Sequence, residues 1–426
     1  MTCIYGALGP LFVVSRVLGL APYPRGNTGT ATADVTRDSP RRFYALHNYI
    51  MLFYMLAWFI FDMTWQSIYR YPKLSSRNVI PIVIRSCTFV AACLSSLILS
   101  HRRSLRIFCS RIALADTVLL GKSSNTKTRL LLIIGITAVL VSSCFVTLCD
   151  MNGRRTDFIT LLRMSGGIVG SFIATFMIVQ SLVTVLILKN RFSTLNERLS
   201  AILRVNCEEN GLETLASMLD ISNKVNAADS VIFVGDPPSV KHPKTLFLSV
   251  NKLRRQVFYH DRHYIRSLRQ THAILCDVIQ MINSDYGLQI LLIISYAFMS
   301  FVMFTFLALD AEIDPSVADC NEEESCVRVL MNFCVSCTCI IKVMSIAGTC
   351  HAASAEASRT STVVQKLLSQ APVSSDMNAE LQLFSQQMWN IDTKFTAFGF
   401  FELNLNLLCS IAGTATTYIV VLLQLK

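Results

Sequence analysis

The chain has 426 residues, of which 52% are hydrophobic and only 15% charged. Soluble proteins carry roughly 25% charged residues, so this composition excludes an ordinary water-soluble domain and points to a lipid solvent. The net charge of +10 does not indicate nucleic acid, because the basic residues sit in short segments between apolar runs, where they act as topology determinants.

Chain order supports an all-α membrane protein. Residues 1–43 form an amino-terminal segment whose apolar start, Met1–Tyr23, lacks a basic n-region and is interrupted by Pro10 and Arg16. It reads as an interfacial or re-entrant helix rather than a signal peptide. Runs long enough to cross a bilayer follow at Tyr44–Tyr69, Val79–Leu99, Leu130–Cys149, Phe158–Leu188, Leu288–Leu309, Cys326–Gly348 and Phe400–Leu425. They are too long and continuous for barrel strands. The expected organisation is spans 1–4 in residues 44–188, helical extensions in 189–287, spans 5 and 6 in 288–348, linker helices in 349–399, and span 7 in 400–426.

The basic residues assign the sides. Arg16, Arg25, Arg37, Arg41 and Arg42 precede span 1, and a second basic group from Arg102 to Arg129 follows span 2. No basic residue lies between Asp310 and Cys326. The bias places the amino terminus inside and the carboxyl terminus outside, a topology inverted relative to G-protein-coupled receptors. Within the extensions, Phe192, Leu195, Leu199 and Ile202 recur at helical spacing, as do apolar residues from Leu253 to Ile282. Residues 207–250, with Pro237 and Pro238 in succession, read as a flexible loop.

Span 7 ends Thr417-Tyr418-Ile419-Val420-Val421-Leu422-Leu423-Gln424-Leu425. This resembles the signature of insect gustatory receptors, Thr-Tyr, five apolar residues, Gln and Phe, with Leu425 in place of the usual Phe. Ser15–Tyr23 resembles the amino-terminal segment of that family. His272, Leu275, Cys276, Ile282, Asn283, Tyr286 and Gly287 resemble its approach to span 5, and Cys350-His351 and Gln386-Gln387 with Asp392 and Phe395 its linker to the last span.

The resemblance implies a ligand-gated, non-selective cation channel in the plasma membrane of sensory neurons. It implies a homotetramer, or a heterotetramer with related receptors, in which the last span of each subunit lines one pore. Thr417, Tyr418, Gln424 and Leu425 are then the pore and gate residues. Without the resemblance, Gln424 reads first as an interfacial polar residue at a helix end; the resemblance favours the pore.

Ionisable and polar residues within spans are the candidates for contact with a small-molecule tastant: Asp62, Arg85, Thr305, Asn332 and Ser336. Each reads either as such a contact or as an internal helix pair, and Asp62 could pair with Arg85. Gly166 and Gly170 have the small-residue spacing of close helix packing. Val335 and Cys339 stand where fructose-type relatives of the resembled family carry Trp and His, which argues for a non-sugar, bitter-type ligand. Phe298, Phe301, Phe304 and Phe306 could build an apolar cavity instead.

Most of the 15 cysteines lie in apolar runs and act as small hydrophobes. Cys320 and Cys326 flank a loop rich in Asp and Glu and form a disulfide if it faces an oxidising compartment. That acidic loop is either simply solvated or a concentrator of cations.

Among rival classes, a G-protein-coupled receptor lacks its Asp-Arg-Tyr and Asn-Pro-x-x-Tyr motifs here, and a transporter lacks internal symmetry. The seven histidines form no metal spacing, and no phosphate loop appears. Neither an enzyme nor a cofactor is expected.

Overall fold

The structure is a computed structural model that describes residues 8–18, 38–65, 104–119, 158–229, 244–313, 322–370 and 375–424. The described elements in chain order are α1 (Gly9–Val17), α2 (Asp38–Trp65), α3 (Ser104–Leu119), α4 (Phe158–Asp229), α5 (Lys244–Ile313), α6 (Glu322–Gln370), α7 (Ser375–Trp389), strands β1 (Thr396–Ala397) and β2 (Phe401–Glu402), and α8 (Leu405–Gln424). Four stretches among the described residues are long and apolar enough to cross a membrane: Ile168–Leu203, Arg262–Leu309, Val329–Ser369 and Leu405–Gln424. Residues 79–99 and 130–149, expected as spans 2 and 3, lie outside the described residues.

The chain divides into two compact units. One comprises Met1–Lys189, Asp277–Ser354 and Lys394–Lys426; the other comprises Asn190–Cys276 and Ala355–Thr393.

In the first unit, α1 buries Leu8, Leu11 and Ser15, with Pro10 in its first turn where a missing N–H does no harm. Its Val17 carbonyl lies 3.0 Å from His47 Nε2 of α2. Tyr54 of α2 reaches Ser165 of α4 at 3.4 Å. A Cβ at Gly170 would stand 3.0 Å from the terminal methyl of Met55, so the small residue lets α2 and α4 approach closely.

Residues 104–119 are a helix, although the sequence offered them only as part of a basic connection. Phe108, Ile112, Ala115 and Leu119 are fully buried or nearly so and recur at three- and four-residue spacing. Arg111 on the same helix pairs with Asp277 at 3.0 Å.

The second unit is built from the extensions of α4, α5 and α6 with α7. Phe192, Leu195 and Leu199 are fully buried and Ile202 is half-buried, the face that their spacing predicted. They share the core of this unit with Ile265, Leu268, Leu275, Val364, Leu381 and Phe384. A polar network crosses it. Asn196 Nδ2 donates to Glu356 Oε1 at 2.9 Å and to the Glu356 carbonyl at 2.8 Å, and Thr360 Oγ1 donates to Asn196 Oδ1 at 2.8 Å. Arg269 pairs with the buried Glu380 at 3.4 Å.

The loop expected over 207–250 is shorter than the sequence suggested. Helix continues to Asp229 and resumes at Lys244. The flank to Asp229 holds Leu212, Leu215, Leu219 and Ala216 with no proline, a composition that favours helix. Pro237 and Pro238 lie in 230–243, outside the described residues. Helix α8 likewise starts at Leu405 rather than at Phe400, because residues 396–402 form a hairpin.

Candidate functional site

Helix α8 has two contrasting faces. Leu408 and Ile411 pack against a core of Ala297 (α5), Cys339 and Val343 (α6), joined by Phe301. One turn further along, Ala415 is the one residue of α8 that is buried. Tyr418 makes an edge-to-face contact with Phe298, their ring centroids 6.2 Å apart. Phe298 and Phe301, which could line an apolar cavity, thus also meet the last span or the core it packs on.

The opposite face of α8 is bare. Asn406, Ser410, Thr417 and Gln424 are exposed and follow one another at spacings of four, seven and seven residues, which places them on one line along a helix. Gly413 lies within that stripe and is also exposed. The Ser410 and Thr417 hydroxyls donate to the carbonyls of Asn406 and Gly413, at 3.2 and 3.0 Å, which lowers the cost of an apolar setting. The side-chain amides of Asn406 and Gln424 are exposed polar groups on a largely apolar span, and such groups are rare facing lipid. Leu425 lies outside the described residues.

A short connection sets where α8 begins. Strands β1 and β2 pair antiparallel, Thr396 opposite Glu402 and Ala397 opposite Phe401. Their turn holds Phe398 at φ 52° and Gly399 at φ 80°; a phenylalanine in the left-handed region is strained by about 1 kcal/mol. Asn404 Oδ1 accepts the Leu407 N–H at 3.2 Å and so caps the start of α8. Leu403 N–H donates to the Phe395 carbonyl at 2.9 Å, and Lys394 pairs with Glu402 across the hairpin.

Helix α5 grips this hairpin. Asn283 Nδ2 donates to the Lys394 carbonyl at 2.9 Å, and its Oδ1 accepts the Thr396 N–H at 3.2 Å. One turn on, a Cβ at Gly287 would lie 2.8 Å from Phe398 N, so only glycine admits the backbone there. Between them, Tyr286 is buried and its hydroxyl accepts from Gln180 Nε2 of α4 at 3.0 Å. The sequence singled out Asn283, Tyr286 and Gly287 without giving them a role. Three residues cannot announce a contact with a turn more than one hundred positions away.

Of the candidate ligand residues, the structure joins Thr305 and Ser336, whose hydroxyls are 3.2 Å apart. Ser336 is buried, Thr305 half-buried, and Asn332 lies one turn before Ser336 and is half-buried. Asp62 is buried on α2 and has an interaction partner. Arg85 lies outside the described residues, and with it the proposed Asp62–Arg85 pair. Cys326 is exposed at the start of α6, while Cys320 and residues 314–321 of the acidic loop lie outside the described residues. Among the described residues no cluster of side chains suited to a metal ion occurs.

In the second unit, His272 is enclosed by aromatic rings, with centroids 5.8 Å from Phe192 and 5.3 Å from Phe384. Cys276 Sγ lies 3.7 Å from its ring nitrogens. Burial pushes its pKa down to about 4, so the ring is neutral at physiological pH. It acts as a packing group rather than a base.

The family model for the seven-transmembrane chemosensory receptors matches residues 8–426. The chain belongs to that family. That family consists of multi-pass membrane chemosensory receptors rather than enzymes. The receptor is 25% identical over 254 residues to gustatory receptor 28a of Drosophila melanogaster, across 59% of this chain and 53% of that one. It is 28% identical over 160 residues to gustatory receptor 28b of the same species, across 38% and 34%. It thus spans about half and a third of the length of these two relatives. It is also similar to a gustatory receptor for sugar taste, 43a, of D. melanogaster, 23% identical across 98% of this chain and 97% of the other. Among solved structures, the olfactory receptor OR5 of Machilis hrabei shares the fold with a TM-score of 0.63 at 11% identity, covering 98% of both chains. The same receptor in complex with eugenol gives 0.64 at 10% identity, covering 99% and 100%. The fold is accordingly the all-α, seven-helix type.

Proposed function

We propose that this receptor is a ligand-gated, non-selective cation channel of the sensory-neuron plasma membrane, opened by a small-molecule tastant. In this reading the amino terminus and the second unit are cytoplasmic and the carboxyl terminus is outside. Four copies, identical or mixed with related receptors, place α8 around one pore.

The observation that carries the reading is the two-faced last span. Its inner face packs on α5 and α6 through Leu408 and Ile411 and buries Ala415, whereas Asn406, Ser410, Thr417 and Gln424 form an exposed polar line. A polar line on a membrane helix is favourable when it borders water, and four such helices enclose a wet path. Gln424 then gives a polar ring and Leu425 an apolar one beside it, and an apolar ring gates by dewetting. Thr417 and Tyr418 stand at the same end of the helix, the first on the pore stripe and the second on Phe298. The candidate ligand contacts are Thr305, Asn332 and Ser336, with Asp62 and Arg85. The neighbouring receptor bound to eugenol supports a compact organic ligand.

A bitter-type ligand is favoured over a sugar. Cys339 is buried against Ala297 and Val343 in the packing that holds α8, and its thiol offers a sugar only a weak hydrogen-bonding group. The sugar reading is the alternative, favoured by the near full-length similarity to the sugar-taste receptor 43a.

The test is a recording from excised patches without nucleotides, exposed in turn to sugars, alkaloids and eugenol. A ligand-evoked cation current is expected, with Gln424→Ala altering selectivity or gating. A response that requires the intact cell and disappears on excision contradicts a channel and favours coupling to a G protein.

A further inference from the structure

The grip of α5 on the hairpin before α8 suggests how ligand occupancy reaches the pore. Resting on the channel reading above, we propose that Asn283 and Gly287 are positioning residues that transmit movement of α5 to the start of the last span.

Three observations carry this. First, α5 is one continuous helix from Lys244 to Ile313. It bears Thr305, a candidate ligand contact, 22 positions after Asn283, a rise of about 33 Å. A shift of the helix at one end is therefore felt at the other. Second, the hairpin cannot hold its own register. Each strand has two residues, and a ribbon that short is not stable alone. Its position is fixed from outside, by the two hydrogen bonds of Asn283 to Lys394 and Thr396 and by the backbone of Phe398 lying against Gly287. Third, the hairpin joins α8 without slack. Leu403 is tied back to Phe395, and Asn404, the next residue, caps α8. Displacing α5 drags the turn, and the turn carries the first residue of the pore stripe, Asn406.

The contact at Gly287 differs from those at Gly170, Gly348 and Gly413. A Cβ at Gly348 or Gly413 meets nothing within 4 Å, and at Gly170 it meets only the flexible end of Met55. At Gly287 it meets backbone, which has no rotamer to give.

The experiment uses the full-length receptor in excised patches, with whichever sugar, alkaloid or eugenol activates the wild type. Asn283→Ala, Asn283→Asp, Gly287→Ala and the control Gly348→Ala are compared at equal surface staining. Asn283→Ala should move the half-maximal ligand concentration or the open probability by about fivefold or more, as expected for one or two lost hydrogen bonds, and Gly287→Ala should move it in turn because its Cβ displaces the Phe398 backbone. Single-channel conductance and reversal potential should not change. Asn283→Asp, which keeps the acceptor for Thr396, should fall between, and Gly348→Ala should match the wild type. Asn283→Asp is the milder change and tests the idea if Gly287→Ala does not reach the surface. Variants that respond at wild-type concentrations with wild-type open probability overturn the proposal. So does a changed reversal potential with unchanged opening, which would assign the residues to the pore wall. A wild type silent to every probe defeats the channel reading itself, a separate result.

Discussion

The buried imidazole of His272 makes the receptor acid-sensitive in a way that can be worked from its surroundings. Its ring is 1% exposed and stacked edge-on between Phe192 and Phe384. Burial lowers its pKa from 6.5 to about 4. The unfolded chain therefore binds a proton between those values that the folded chain refuses. Stability from this site is full above pH 6.5 and falls as pH drops toward 4, at about 1.4 kcal/mol per unit. At pH 5 the loss is about 2 kcal/mol, and below pH 4 about 3 kcal/mol. Replacing His272 by Leu, of similar volume and never charged, removes that slope. The assay is thermal unfolding of the full-length receptor in detergent at pH 7.5 and pH 5, wild type against His272→Leu. The other histidines contribute to both proteins and cancel in the comparison. The wild type should lose about 2 kcal/mol more than the variant between the two pH values. Equal losses would refute the buried, neutral state of His272.

Other outcomes follow from the same geometry. Phe384→Ala, in the core with His272, should cost about 3–5 kcal/mol, read as a lower unfolding midpoint of the purified receptor. Asn196→Ala strands the buried Thr360 hydroxyl and should cost about 1–3 kcal/mol, seen by the same measurement. An epitope placed after Lys426 should stain on intact cells if the carboxyl terminus is outside; staining only after permeabilisation, with surface expression shown separately, would reverse the assigned topology.

What the sequence disclosed and what it withheld have physical reasons. Long apolar runs and the Phe192, Leu195, Leu199 periodicity are local signals, and among the described residues the helices they predict are there. The paired Thr305 and Ser336 hydroxyls could be named because polar residues inside spans stand out singly. The helix at 104–119 was hidden because its arginines drew attention to charge while its buried face of Phe108, Ile112, Ala115 and Leu119 passed for part of a connection. The hairpin was hidden for another reason. Phe400, Phe401 and Leu403 read as the start of the last span, and the Asn283 contacts with Lys394 and Thr396 that hold the hairpin join residues more than one hundred positions apart. The contacts of Phe298 with Tyr418 and of Phe301 with the core beneath Leu408 were not legible, because composition cannot tell a phenylalanine lining a cavity from one packed on a neighbouring helix.

The central claim is that the exposed stripe of α8 borders an aqueous pore. It is tested by cysteine accessibility in a Cys409→Ser background, with single cysteines placed along both faces and a charged, water-soluble thiol reagent applied during the ligand-evoked current. Cysteines at Asn406, Ser410, Thr417 and Gln424 should react and block the current, while those at Leu408, Ile411 and Ala415 should not. Block from the Leu408, Ile411 and Ala415 face, or no block from the polar line, would contradict the account.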